Sequence, residues 1–151
     1  MEDAFIITGG KRLKGSVTLS GAKNVALKVI IAALLLEQQV VLKNIPRISD
    51  VNELLHLIRS LGAKAEFIDS HSVIIDSRSL SSNKVDLLHA SKIRASFMLF
   101  APLLYKFSTC YVPNPGGCRI GARPIDRIVD GMKKLGVIVD YDSDTGYYKA
   151  Q

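Results

Sequence analysis

Residues 50–76, DVNELLHLIRSLGAKAEFIDSHSVIID, and residues 126–150, DRIVDGMKKLGVIVDYDSDTGYYKA, carry one pattern twice. In the first stretch Val51, Leu54, Leu55, Ile58 and Leu61 recur at helical spacing; in and just before the second, Ile125, Ile128, Val129, Met132 and Leu135 do the same. Each helical run stops at a Leu-Gly pair, Leu61-Gly62 and Leu135-Gly136, 74 residues apart, where glycine suits a left-handed cap. Two short strand-like runs follow each helix, residues 64–68 with 72–76 and residues 137–141 with 146–150. Each pair predicts a hairpin, turning through Asp69-Ser70-His71 in one copy and Asp142-Ser143-Asp144-Thr145 in the other.

The match extends upstream. KNVALKVIIAALL at 23–35 lies over KIRASFMLFAPLL at 92–104, an offset of 69, and both predict helices that are apolar over most of their circumference. A strand-like run precedes each (17–20 and 85–88) and another follows (40–42 and 109–112). The unit is therefore βαβαββ, repeated over about residues 16–77 and 85–150, which places the chain in the mixed α/β (α+β) class. Because the offset grows from 69 to 74, the second copy holds five extra residues between its second strand and second helix. There PNPGGCRIGARP (113–124) stands in place of KNIPRIS (43–49), and a departure from a shared scaffold is where function tends to reside.

Composition bounds the rest. The 151 residues are 48% hydrophobic and 23% charged, enough for a buried core and unlike a disordered chain. The longest apolar run, residues 29–36, is far short of the roughly 20 residues that cross a bilayer, and no secretory signal opens the sequence, so a cytoplasmic protein without a membrane partner is expected. Cys110 and Cys118 form no disulfide framework and have no zinc-ligand spacing; neither a metal nor a cofactor is expected, and Cys110, in an apolar strand pattern, reads as an inert core thiol. His56, His71 and His89 follow no ligand or triad pattern and read as structural or solvated. The net charge of +6 resides wholly in residues 89–134, where eight Lys and Arg face only Asp126 and Asp130. Such a local excess points to an anionic ligand. Nucleic acid is not the expected partner, because Phe97, Phe100 and Phe107 fall on a buried helix pattern and not beside an exposed basic groove.

Two places carry the candidate chemistry. In the 113–124 loop, Gly116-Gly117 frees the backbone, three prolines restrict it, and Cys118 is flanked by Arg119 and Arg123 ahead of a helix N-terminus. That field lowers a thiol's pKa and attracts phosphate or carboxylate, although a structural cysteine in a turn with solvated arginines fits the same residues. In Ser20-Gly21-Ala22-Lys23-Asn24 a strand-like run ends and a Lys-Asn pair opens an apolar helix. Lys23 there opposes the helix dipole, which fits either an anion seated beside it or a solvated side chain. Lys92 and Arg94 stand at the equivalent mouth of the second copy.

The stretches Ser20-Gly21-Ala22-Lys23-Asn24, Ile93-Arg94-Ala95-Ser96 and Pro115-Gly116-Gly117-Cys118-Arg119-Ile120-Gly121-Ala122-Arg123-Pro124-Ile125-Asp126 resemble the UDP-N-acetylglucosamine 1-carboxyvinyltransferases, enolpyruvyl transferases of the first committed step of peptidoglycan synthesis. The resemblance runs the length of the chain. It implies an inside-out α/β barrel built from six βαβαββ units, of which two are present, with residues 22–151 a partial domain and residues 1–21 packing with a second domain. It further implies that the enolpyruvyl group of phosphoenolpyruvate passes to the 3′-hydroxyl of UDP-N-acetylglucosamine and phosphate leaves. In that scheme Cys118 is the proton donor and can form a covalent adduct. Lys23, Asn24, Cys118 and Arg123 contact phosphoenolpyruvate; Asn24, Arg94, Arg123, Pro124, Ile125, Asp126 and Arg127 contact the UDP-sugar.

The sequence departs from the family at Lys28, where proline is usual, and at Arg119, where small or uncharged residues follow the cysteine. Members run to roughly 400 residues, so the resemblance implies a C-terminal domain or partner chain beyond this one, an inactive chain in isolation, and self-association through the uncovered face. The sister 3-phosphoshikimate 1-carboxyvinyltransferases share fold and reaction but lack the Cys118 loop. A non-catalytic interaction fragment that keeps the fold is the remaining alternative.

Overall fold

A computed structural model describes residues 4–116 and 124–151. The first copy contains α1 (Lys23–Ala33), β1 (Gln39–Leu42), α2 (Ser49–Ser60), β2 (Lys64–Phe67) and β3 (Val73–Asp76). The second contains α3 (Leu87–Ala90), a 3-10 helix (Arg94–Leu99), α4 (Phe100–Phe107), β4 (Cys110–Pro113), α5 (Asp126–Lys134), β5 (Val139–Asp142) and β6 (Tyr147–Ala150). Each copy makes one antiparallel three-stranded sheet, ordered β1-β3-β2 and β4-β6-β5, so the last strand of each copy is the central one. The registers are equivalent: Gln39 and Lys64 both pair with Asp76, and Cys110 and Val139 both pair with Ala150. The repeat is thus a repeat of structure, and both predicted hairpins form.

The helices lie against the sheets and supply most of the core. Val51, Leu54, Leu55, Leu57 and Ile58 of α2 are buried, joined by Ile30 of α1, Ile75 of β3, and Phe97, Phe100 and Leu103 of the second copy. Each such side chain contributes about 1.5–3 kcal/mol on burial. Phe97 packs edge-on against Phe100, with ring centroids 4.7 Å apart, and against Tyr148 of β6 at 5.4 Å. The 3-10 helix thus lies against its own sheet, and it also packs on α1. The predicted stripe of α5 is covered less: Ile125, just before the helix, is buried, but none of the helix's own residues is, and Ile128 and Leu135 are exposed. Likewise Val25 of α1 is open to solvent, so that helix is buried on one side and not around most of its circumference.

Three expectations need correcting. Residues 92–104 do not form one α-helix, because Pro102 has no N–H to donate to Met98 and its ring crowds that carbonyl. Proline is tolerated in the first turn, so α4 starts at Phe100, and the chain before it closes as the 3-10 helix. The buried Ser96 hydroxyl lies within hydrogen-bond reach of the Ile93 and Ala90 carbonyls, at 2.7 and 3.0 Å, and satisfies that tighter turn. Residues 85–88 are not a strand either. The side chain of Asp86 accepts from the His89 N–H at 2.8 Å and starts α3, leaving a single parallel bridge between Lys84 and Tyr111. Finally, residues 17–20 form no strand: Val17 and Leu19 are exposed and no described strand pairs with them, and alternation without a partner edge does not hold a strand.

The two glycine caps are as expected. Gly62 and Gly136 take positive φ, 99° and 93°, and the next residue's N–H reaches back five residues in each case, Ala63 to Ile58 at 3.2 Å and Val137 to Met132 at 3.0 Å. A Cβ at Gly62 would press on the Ser79 carbonyl at 2.9 Å, whereas one at Gly136 would meet open space. Gly136→Ala is therefore expected to cost about 1 kcal/mol from backbone strain alone, and Gly62→Ala about 2–3 kcal/mol, compared by urea unfolding; equal costs would contradict this packing. Cys110 is fully buried, and burial pushes its thiol up to about 12. In a Cys118→Ser background, a thiol reagent at pH 8 is expected to label Cys110 only as the chain unfolds, and rapid native labelling would refute its burial.

Candidate active site

An open cavity of about 530 Å³ lies where the two copies meet, at the N-terminal ends of α1 and α2 and beside the start of the 3-10 helix. Its polar side chains are Lys23, Asn24 and Lys28 from α1, Asp50 from α2, Lys92 from the connection into the 3-10 helix and Arg94 from that helix's first position. Its floor is apolar, with Leu27, Ile93 and Phe97 among the buried lining residues. Four cations against one carboxylate, among the described lining residues, suit an anion. The apolar floor lowers the local dielectric and strengthens that attraction.

The placement follows from local sequence. Ala22 at the α1 N-cap offers no side chain to the first turn, and that turn has no acidic residue, so neither the helix's free N–H groups nor Lys23 is neutralised from within α1. Asp50 does it from the neighbouring helix. It sits in the first turn of α2, where a carboxylate favours the dipole, and accepts from Lys23 Nζ at 2.7 Å. The pair is about half exposed on the lysine side, so it orients the ammonium more than it stabilises the fold. Arg94 donates to the Pro124 carbonyl at 3.4 Å, tying the cavity wall to the far end of the 113–124 connection. At the near end, Gly116 runs so close to the Ser91 backbone that a Cβ there would collide with it. Both ends of that connection are thus anchored beside the cavity.

Of the sequence-derived candidates, the structure brings Lys23, Asn24, Arg94 and Ile125 to one cavity, with Pro124 in contact through its carbonyl. Asp126 and Arg127, in the first turn of α5, are exposed and do not line it. Cys118 and Arg123 lie outside the described residues. Sequence reasoning did not select Asp50 or Lys28, and placed Lys92 only as a cation at the mouth of the second copy's helix. The signal for Asp50 was present, a carboxylate opening a helix in the copy whose partner helix opens with an unneutralised Lys23.

The sequence model of the EPSP synthase (3-phosphoshikimate 1-carboxyvinyltransferase) family matches residues 7–151. Among curated relatives, UDP-N-acetylglucosamine 1-carboxyvinyltransferase of Wolinella succinogenes is 46% identical over 138 residues, covering 91% of this chain and 33% of that protein. The enzyme of the same name from Dichelobacter nodosus is 41% identical over 145 residues, 96% of this chain and 34% of that protein. That from Helicobacter pylori is 38% identical over 149 residues, 99% and 35%. The chain spans about a third of the length of these relatives. Among solved structures, the enolpyruvyl transferase NikO from Streptomyces tendae matches with a TM-score of 0.79 at 22% identity, over 95% of this chain and 31% of that one, a likeness of fold.

The charge arrangement gives opposite expectations for two neighbours. Lys23→Met is expected to weaken inorganic phosphate binding about fivefold at low salt, and Asp50→Asn to strengthen it, since it removes the carboxylate that competes with the anion. Titration calorimetry at fixed pH checks this, and weakening by both substitutions would show that the ion pair itself, not the net charge, matters.

Proposed function

The chain belongs to the EPSP synthase family of enolpyruvyl transferases, and on that premise we propose that the complete protein transfers the enolpyruvyl group of phosphoenolpyruvate to the 3′-hydroxyl of UDP-N-acetylglucosamine, releasing phosphate. The observation that carries the reading is the cation-lined cavity at the seam of the two copies, where Lys23, Asn24 and Arg94 converge although the first and the last lie 71 residues apart. The choice of acceptor sugar is supported by the names of the relatives at 38–46% identity and by the Pro115–Asp126 motif around Cys118. Under this reading the step belongs to peptidoglycan synthesis and takes place in the cytoplasm. None of the described helices is long and apolar enough to cross a membrane.

The proposed chemistry assigns each group a task. Cys118 donates a proton to the methylene carbon of phosphoenolpyruvate, making the adjacent carbon electrophilic, and the sugar 3′-oxygen attacks that carbon as its own proton leaves. The tetrahedral intermediate carries both the sugar oxygen and the phosphate. Loss of phosphate, with a proton from the new methyl group, restores the double bond and leaves the enolpyruvyl ether. Lys23, Arg94 and Arg123 neutralise the anionic groups through these steps, and preorganised cations in a partly apolar cavity favour charge where it accumulates. Asn24 contacts both substrates near the reacting centre, and Pro124, Ile125, Asp126 and Arg127 contact the UDP-sugar. Thiol attack by Cys118 on the same electrophilic carbon gives the covalent adduct.

The rest of the proposed protein covers what is open here: the exposed stripe of α5 and residues 4–20, which carry the exposed Phe5, Ile6, Ile7 and Leu13. Residues 1–21 then pack with the second domain. In the complete protein, phosphate release from phosphoenolpyruvate is expected to require UDP-N-acetylglucosamine, and Cys118→Ala to reduce it at least about 100-fold, the usual scale of a lost general acid. Release that depends on shikimate 3-phosphate would transfer the assignment to the sister reaction, and no release with either acceptor would refute it.

A further inference from the structure

At the rim of the cavity stands a cluster that the proposed reaction does not use. Glu53 of α2 meets two basic groups at once: its Oε2 is 2.9 Å from His89 Nδ1, and Lys92 Nζ donates to Oε1 and Oε2 at 3.1 and 3.3 Å. Lys92 Nζ is also 3.5 Å from His89 Nδ1. The His89 ring lies on that of His56, one turn along α2 from Glu53, with centroids 3.9 Å apart and planes tilted by 39°. Resting on the reading of the cavity as an anion site, we propose that Glu53 holds Lys92 in reserve at the cavity rim, and that a proton taken up by the His56–His89 pair releases Lys92 to the phosphate-like group of a bound ligand.

The argument is one of charge balance. With both imidazoles neutral, Glu53 has a single cationic partner, and the Lys92 ammonium is its ion pair. A proton on His89 puts a second full cation on the same carboxylate, 3.5 Å from the first, and one negative charge cannot neutralise both. Lys92 is the partner that leaves. Its side chain is 45% exposed against 24% for His89, its stem is flexible, and it already lines the cavity.

Glu53 remains an anion throughout, because hydrogen bonds from His89 and Lys92 hold its carboxyl below the usual range. The other charged groups facing the cluster are engaged elsewhere. Asp50, one turn back on α2, holds Lys23; Asp86 caps α3 through the His89 N–H; Arg94 donates to Pro124. Histidine changes charge between about pH 5 and 8, so ligand capture is acid-sensitive in that interval.

Sulfate tests this, since it mimics phosphate but does not titrate in the interval. In the intact chain, sulfate affinity is expected to rise about threefold from pH 8 to pH 5.5, a rise that Lys92→Met abolishes and that Glu53→Gln replaces by tight binding at both pH values. Without any ligand, the NMR titration midpoint of His89 is expected to move up by about half a pH unit in Lys92→Met, because a neighbouring cation is gone. An unchanged midpoint, or a pH dependence that survives Lys92→Met, overturns the proposal. Sulfate that needs Lys23 but ignores pH, Glu53 and Lys92 overturns it while leaving the cavity reading intact. No sulfate binding at either pH overturns the cavity reading, and the proposal with it.

Discussion

Lys23, Asn24 and Asp50 are held by helices each of which commits one face to the core, and that commitment constrains everything around them. Lys23 and Asn24 open a helix whose Ala26, Leu27, Ile30 and Ile31 are buried, and Asp50 opens one anchored by Val51, Leu54, Leu55 and Ile58. Neither helix can rotate to relieve an unfavourable charge at its end without exposing several large apolar side chains, each worth about 1.5–3 kcal/mol. The packing therefore fixes where the cations converge, and it does so against electrostatics that would otherwise disperse them. Lys23 at the positive end of α1 is the clearest case, and Asp50 is the local compensation.

The same principle organises the cavity's far wall. Pro102 forces the second copy's buried segment into a 3-10 helix followed by a short α-helix, and this shift sets Lys92, Ile93 and Arg94 against the ends of α1 and α2. Gly116 and Pro124 then bring both ends of the longer connection to that wall. The described ends of that connection thus meet the wall of a cavity that lies at the seam between the two copies.

Much of this was legible in the sequence, for reasons that are local. The helices around Leu54 and Val129, the caps at Gly62 and Gly136, and both hairpins follow from periodicity and turn chemistry within a dozen residues. The repeat made them mutually supporting. Two errors arose where one residue overrode a pattern, Pro102 within an apolar run and Asp86 as a cap within a strand-like one; the third, at residues 17–20, arose because no described strand offers an edge to pair with. Of the site residues expected from sequence, Lys23, Asn24, Arg94 and Ile125 line one cavity, and Cys118 and Arg123 fall outside the described residues. What no local pattern carries is contact between distant residues. Glu53 and His89 meet across the seam 36 residues apart, Lys23 and Asp50 meet within the first copy 27 apart, and neither pairing is written in any spacing.

The strand order also bears on how the chain acquires this shape. Within each copy the hairpin partners are neighbours in sequence, and the remaining strand joins the same central strand from no further away than the start of its own unit, Gln39 to Asp76 and Cys110 to Ala150. No strand of the first sheet waits for a partner in the second. Each unit closes its own ladder without a strand from the other, which limits the loop-closure entropy of each sheet and lets structure form stepwise from the N-terminal side. During synthesis, the first sheet and α2 can be complete while the residues that will form the opposite wall of the cavity are still being added.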